Sequence, residues 1–355
     1  MRSFNNFNVA EQAMKINQKQ TMTNRGVTLI EALVVLSVMA FAVSLFAPLV
    51  VASRQEMRQA ECANNLRRIG DGWLGHENSL GHLPSSGWGW RWTGDPDRGF
   101  GRSQPGGWAF DAIRFTEYEN VANLGGGEID DADKAAGMLR ANGTPIPIFY
   151  CPDRRAVRTY PTVRNAFLAN NLRECQTDPV CQVARIDYQG NSGNVSLGET
   201  AGPSGDRSTT GPPRQEGKFR ISNGVTTQVS ETRFGQITDG LSHTMMIGEK
   251  YLNASNYQNG LDAADDNSHF AAIDRDINGY TSSSIRSVSV PEFLPRQDRI
   301  GLGLNWAFGS AHSGGMNAAF CDNSVRTVSY EVDFRVFFLM GGRNDGPIPF
   351  ESDSE

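Results

Sequence analysis

A chain of 355 residues with 33 Lys+Arg against 39 Asp+Glu carries a formal charge of -6. No polybasic block is present, which excludes the footprint of a nucleic-acid binder. Hydrophobic residues at 39% and 38 glycines exclude wholesale disorder and collagen. One stretch alone is apolar enough to cross a bilayer, which excludes a multi-span transporter.

The chain opens with a polar stretch, residues 1–25, in which Arg2, Lys15, Lys19 and Arg25 face a single acid, Glu11. Gly26-Val27-Thr28-Leu29-Ile30-Glu31 follows, and then an uncharged run of about 22 residues from Ala32 to Ser53. As a helix that run crosses a hydrocarbon core of ~30 Å. The basic residues ahead of it place the N-terminus in the cytoplasm and the rest of the chain beyond the cytoplasmic membrane. Three readings compete: a secretory signal cut near Ala52, a plain single-span anchor, and a prepilin leader. The run exceeds the ~7–15 residues of a signal-peptide apolar region. Glu31, at its edge, needs a partner, because a carboxylate deep in a membrane costs roughly 2.5–3.5 kcal/mol. Cleavage after Gly26 supplies one, the new amine of Val27. Met22 is an alternative start.

This segment resembles the N-terminus of type IV pilins and pseudopilins, whose pattern is Gly, usually Phe, then Thr-Leu-Ile-Glu; Val27 stands in the place of the Phe. The resemblance implies cutting between Gly26 and Val27 by a prepilin peptidase and N-methylation of the new terminus. It also implies pairing of Glu31 with the Val27 amine of a neighbouring subunit in a filament.

The helix is expected to continue beyond the membrane to about residue 77, on the order of 75 Å in all. Met57, Cys62, Leu66, Ile69 and Trp73 recur mostly at three- and four-residue steps, the mark of a buried helical face. Pro48 predicts a kink or an opened turn, and Gly70, Gly72 and Gly75 predict weak last turns.

From about Gly81 the pattern changes to short β-branched or aromatic runs, residues 146–151, 226–230, 244–247 and 325–328, bounded by turn residues. Residues 198–217 and 253–284 read as polar surface loops. The expected class is α+β. The domains are a leader at 1–26, an N-terminal helix at 27–80 that is transmembrane in its first half, and a globular extracytoplasmic domain at 81–355.

Several patches narrow the resemblance. They are the run from Arg58 to Gly70 through Cys62, Phe149-Tyr150-Cys151-Pro152-Asp153, the run from Ile237 to Thr244 followed by Gly248-Glu249, and Gly309-Ser310-Ala311-His312-Ser313. Together they resemble a large bacterial prepilin-like family whose globular domain has no assigned function. Its hallmark is a His, nine residues, then Asp-Gly; here His312 and Asp322 keep the spacing and Asn323 replaces the Gly. That resemblance implies a pilin-like fold, a long N-terminal helix packed on an antiparallel sheet. It also implies a structural role in a pilus or in a type II secretion pseudopilus. The alternative is a membrane-anchored extracytoplasmic binding domain that never polymerises. Expected partners are the prepilin peptidase, other pilin-like subunits and the membrane, with no nucleic acid.

Asp322-Asn323 between apolar runs predicts a type I′ hairpin, since Asn tolerates positive φ. His312 is expected to clip the base of that hairpin rather than act with Asp322 in chemistry. No enzyme is expected: Gly190-Asn191-Ser192-Gly193-Asn194 is not a nucleophile elbow. Cofactors are expected to be absent, with calcium the one candidate. Asp274, Asp276 and Asn278, followed by Gly279, match the opening of a calcium loop, though Ile285 stands where the bidentate Glu belongs. Trp88, Trp90 and Trp92 alternate, which suits local packing better than ligand stacking. Of the five cysteines, Cys175 and Cys181 are expected to pair, since a short gap closes easily in an oxidising compartment. Cys62 and Cys151 form the expected second pair, and Cys321 a buried thiol.

Overall fold

The computed structural model describes residues 27–346 apart from 128–129, 163–168, 173–180, 196–199, 210, 212–221 and 283–292. The leader, Gly26 and Cys175 therefore lie outside the described residues. Internal contacts divide the chain into two compact units, Met1–Arg54 and Gln55–Glu355.

Helix α1 runs from Leu29 to Leu80, 52 residues. Thr28 starts it with a capping box. Its Oγ1 accepts the Glu31 N–H at 3.3 Å, and the Glu31 carboxylate accepts the Thr28 N–H at 2.9 Å. In the first unit, Leu29–Ala47 is apolar and long enough to span a bilayer, and among the described residues none of it is buried. The helical assignment continues without a break through Pro48.

In the second unit, Cys62, Leu66, Ile69, Trp73 and His76 of α1 are fully buried. Met57, expected on the same stripe, is 59% exposed, so the covered face begins at Cys62. The glycines that promised an early end are contact points instead. A Cβ at Gly72 would lie 2.5 Å from the carbonyl oxygen of Ala112 in helix α2 (Trp108–Ile113), and one at Gly75 would lie 2.9 Å from Phe115 Cβ. The absent side chains let two backbones touch. Gly72→Ala is therefore expected to destabilise the chain. Alanine gains roughly 1 kcal/mol of helix propensity, but forcing a methyl against a backbone carbonyl costs about 1–3 kcal/mol. A urea midpoint that rose on this substitution would contradict the close packing.

Two short helices follow α2: α3 (Glu119–Ala122) and α4 (Asp131–Asn142). A mixed sheet forms the centre of the unit. Its strands are β3 (Tyr188–Asn191), β4 (Met245–Glu249), β5 (Asn278–Gly279), β8 (Met316–Phe320) and β9 (Val325–Val328), in the order β5-β3-β4-β8-β9. The β3–β5 pair is parallel and the others antiparallel. Outside it, β1 (Tyr160–Thr162) pairs with β2 (Cys181–Val183), and β6 (Arg296–Gln297) with β7 (Gly309–Ser310). Helix α5 (Phe334–Gly341) begins at Asp333, whose carboxylate accepts the Arg335 N–H at 2.8 Å. The chain is a mixed α+β protein with an N-terminal apolar helix.

Three expected elements are different. Residues 146–151 contain a 3-10 turn at Pro147–Phe149 rather than a strand, because the proline donates no ladder bond. Residues 226–230 turn at Val229, whose φ is 54°. Most of 262–282, within the supposed surface loop 253–284, runs through the interior: Phe270, Ala271, Ala272, Ile273, Ile277 and Tyr280 are buried. It could be mistaken for a surface loop because many of its polar side chains are hydrogen-bonded inside the protein. Asn278, for example, donates to the hydroxyls of Ser86 and Ser192 at 2.7 and 2.8 Å.

The β8–β9 hairpin forms, but with a different turn. Asn323 alone in the tip has positive φ, 61°, and its N–H donates to the Phe320 carbonyl at 2.8 Å. Phe320 N–H in turn reaches the Ser324 carbonyl at 2.9 Å. This is a three-residue loop, a type I turn closed by one left-handed residue, not the type I′ turn expected. The Asn323 side chain then donates to Asp71 of α1 at 2.7 Å, over Gly70, where a Cβ would strike the Asn323 amide oxygen.

Trp88 and Trp92 are buried in a small cluster with Val229 and Ala272, their rings 4.8 Å apart. Their indole N–H groups donate to the carbonyls of Arg102 and Pro203. Trp90 is half-buried beneath the Arg91 guanidinium.

Candidate functional site

Four elements bring Cys62, Cys151, Glu249 and His312 together, with the potential ligand atoms all within 4.8 Å of one another. Among the described residues this is the one gathering of three or more His, Cys, Asp or Glu groups with such geometry. Cys62 comes from the buried face of α1. Cys151 follows the Pro147–Phe149 turn, and its N–H donates to Asp187 Oδ2 at 2.7 Å. Glu249 ends β4; its Oε2 accepts the Asn317 N–H of β8 at 2.7 Å. His312 lies between β7 and β8, where its carbonyl accepts the Tyr330 hydroxyl at 2.7 Å.

The two sulfurs are 3.2 Å apart, Cys151 Sγ is 3.8 Å from His312 Nε2, and that nitrogen is 3.2 Å from Glu249 Oε1. Cys62, Cys151 and Glu249 are wholly buried and His312 nearly so. On its other side, His312 Nδ1 meets Asp153 Oδ2 at 2.8 Å, and Asp153 Oδ1 meets Arg58 at 2.8 Å. Asp153 thus fixes the ring so that Nε2 points into the cluster. Burial opposes a charge on the imidazole, but the contacts with Cys151 and Glu249 outweigh it and push its pKa up to about 10. The hydrogen bond from Cys62 holds the Cys151 thiol below its ordinary value against burial, while Cys62 is pushed up. An open cleft adjoins the cluster, lined by Arg58, Gln59, Asp153, Gln297, His312 and Ser313.

The structure bears on three expectations, and corrects the first. Cys62 and Cys151 do meet, but as two free thiols rather than as the expected disulfide. The His312 side chain faces Cys151, Glu249 and Asp153, while its carbonyl takes the Tyr330 hydroxyl at the base of the hairpin as expected; the Asp322 carboxylate is taken up by the N–H and hydroxyl of Ser324 in the turn. Of the calcium candidates, Asp274 accepts from Asn267 and from the Arg275 N–H, one oxygen of Asp276 accepts the Asn267 N–H, and Asn278 belongs to β5. Asp265, just upstream of them in the chain, is taken by Arg155 and Lys250. Cys181 is disulfide-bonded, and Cys321 is a buried free thiol.

Glu249 and Asp153 were not expected at a site. Both stand in sequence patches noted above, Gly248-Glu249 and Cys151-Pro152-Asp153, but nothing in a lone carboxylate marks it. The Asp153–His312–Cys151 line also has the connectivity of an activated nucleophile. The sulfur is fully covered, however, and its open side is filled by Cys62. What the geometry offers is four inward donors, two sulfurs, one nitrogen and one oxygen.

The class is thus a protein with one N-terminal apolar helix and a mixed α+β domain enclosing a Cys-Cys-Glu-His cluster. Residues 51–335 match the model of the family described as "Protein of unknown function (DUF1559)", and the chain belongs to that family. No curated protein and no solved structure matches it.

Proposed function

We propose that the chain is a type IV pilin-like or pseudopilin-like structural subunit, cut between Gly26 and Val27 and assembled into a pilus or a type II secretion-type pseudopilus. One observation carries the reading: Leu29–Ala47 of α1 is apolar and, among the described residues, not buried, and its only charged residue is Glu31 in the first turn. An uncovered apolar face of that length needs lipid or other helices around it. The helix passes once through the cytoplasmic membrane, with the globular unit outside. The role is structural rather than catalytic, and the partners are prepilin peptidase and other pilin-like subunits.

The cleft beside Arg58 and Asp153 favours a second reading, an anchored binding domain that shares the leader but does not polymerise. Both require processing or insertion at the N-terminus. Mass spectrometry of the chain from cells with active prepilin peptidase is expected to find Val27 as the first residue. A first residue of Ser53, or an intact leader, overturns the proposal.

A further inference from the structure

We propose that Cys62, Cys151, Glu249 and His312 bind one zinc ion, which ties α1 to the central sheet. The distances lie close to those of a tetrahedron. Metal–sulfur bonds of about 2.3 Å and metal–nitrogen or metal–oxygen bonds of about 2.0–2.1 Å give edges of roughly 3.8 Å between sulfurs, 3.6 Å from sulfur to nitrogen and 3.3 Å from nitrogen to oxygen. The observed edges are 3.2 Å between the sulfurs, 3.8 Å from Cys151 sulfur to His312 nitrogen, and 3.2 Å from that nitrogen to Glu249 oxygen, so an entering ion has to part the two sulfurs by roughly half an ångström.

The cluster also lacks an internal solution to its own polarity. Glu249 Oε1 is buried and accepts no well-directed hydrogen bond. A proton on His312 Nε2 serves one acceptor at a time, whereas a cation at the centre serves all four. The next layer is that of a metal site. A ligating His commonly gives its second nitrogen to a carboxylate, and His312 Nδ1 does so to Asp153 at 2.8 Å. The second oxygen of Glu249 is held by the Asn317 N–H. Two thiolates and one carboxylate leave a zinc complex with one excess negative charge, and the Arg154 guanidinium acts on Cys151 from nearby.

Ligand chemistry selects the metal. Thiolates disfavour magnesium and calcium, and a mixed sulfur, nitrogen and oxygen set suits zinc. Four protein ligands, all buried, leave no open position, which makes the site structural. The ion would join elements far apart in sequence, α1, the segment after the Pro147–Phe149 turn, β4, and the segment between β7 and β8. This proposal does not depend on whether the chain polymerises.

The test uses the full chain in mild detergent, purified without chelator. Plasma mass spectrometry is expected to find one zinc per chain. Removing it with a chelator is expected to lower the melting temperature by about 5 °C or more, and added zinc to restore it. Cobalt(II) put in its place should show thiolate charge-transfer absorption. His312→Gln and Glu249→Gln should weaken zinc binding at least tenfold, and Asp153→Asn by about 10–100-fold through the orientation of His312. The wild-type measurements decide the matter even if a variant fails to fold. A Cys62–Cys151 disulfide in the isolated chain, or iron or copper in zinc's place, overturns the proposal. So does a reduced, metal-free chain whose melting temperature and thiol reactivity ignore added zinc.

Discussion

Arg155→Ala is expected to cost the globular unit about 3–5 kcal/mol, enough to unfold a domain whose whole stability is about 5–15 kcal/mol. Arg155 is fully buried between two carboxylates, Asp187 and Asp265. Its Nη2 donates to Asp187 Oδ1 at 2.5 Å and to Asp265 Oδ1 at 2.9 Å, while its Nη1 donates to Asp265 Oδ2. Lys250 reaches Asp265 at 2.9 Å and Arg154 reaches Asp298 at 2.8 Å, so the network has little spare positive charge. Truncation leaves buried anions short of a partner. Arg155→Lys should fall between, because a single ammonium cannot match two carboxylates with a planar fork. The network also has a pH signature. Burial would raise the Asp265 carboxyl, but Arg155 and Lys250 prevail and hold it below the usual carboxylate range. Its stabilisation is therefore complete above the unfolded value near ~3.9 and is lost as pH falls below it. In Arg155→Ala the carboxyl rises, and acid unfolding should begin at a higher pH. Urea titration at several pH values reads both effects; an unchanged midpoint would refute the account.

Glu31→Gln is expected to abolish assembly while leaving the chain inserted, processed and folded. The capping box with Thr28 explains a carboxylate at this position by local structure alone, and glutamine keeps that box. Only the charge is removed. Removing a charge from an apolar segment eases insertion, so a monomeric anchor should tolerate the change. A filament subunit should not, since the Val27 amine of its neighbour would lose its counter-ion in an apolar core. Losing one member of a buried pair costs about 3–5 kcal/mol at every subunit contact. Glu31→Ala should behave alike, with a slightly frayed helix start. Sheared-surface and membrane fractions distinguish the cases. Wild-type chain found only in membranes, with Glu31→Gln distributed identically, would favour the anchored binding domain.

Local signals in the sequence were readable and long-range ones were not. The spacing of Cys62, Leu66, Ile69 and Trp73 announced the buried face of α1, because a helix repeats its environment every three or four residues. The run Val325–Val328 is a strand as written, and Asn323 takes the left-handed position its chemistry allows. Residues 262–282 misled, since a polar composition cannot tell exposed groups from groups satisfied inside. The Cys-Cys-Glu-His cluster was visible only in pieces. Each of its four residues stands in a different patch of the family resemblance, and Cys151 and His312 lie 161 positions apart. No periodicity spans such a gap. Cys62 and Cys151 were expected to meet as a disulfide, because nothing in the sequence placed Glu249 and His312 beside them.

The Asn323–Asp71 contact joins residues 252 positions apart. A chain that ends before β8 has neither the strand that borders β4 nor the hairpin tip that meets α1. It also lacks His312 if it ends a few residues sooner. The part of the α1 stripe that shares a cluster with Ala319, Cys321 and Val325 would then lose that cover, while Trp73 keeps Trp108. A fragment left by interrupted translation or proteolysis is expected to show that apolar surface, and so to advertise itself to proteases as the full chain does not.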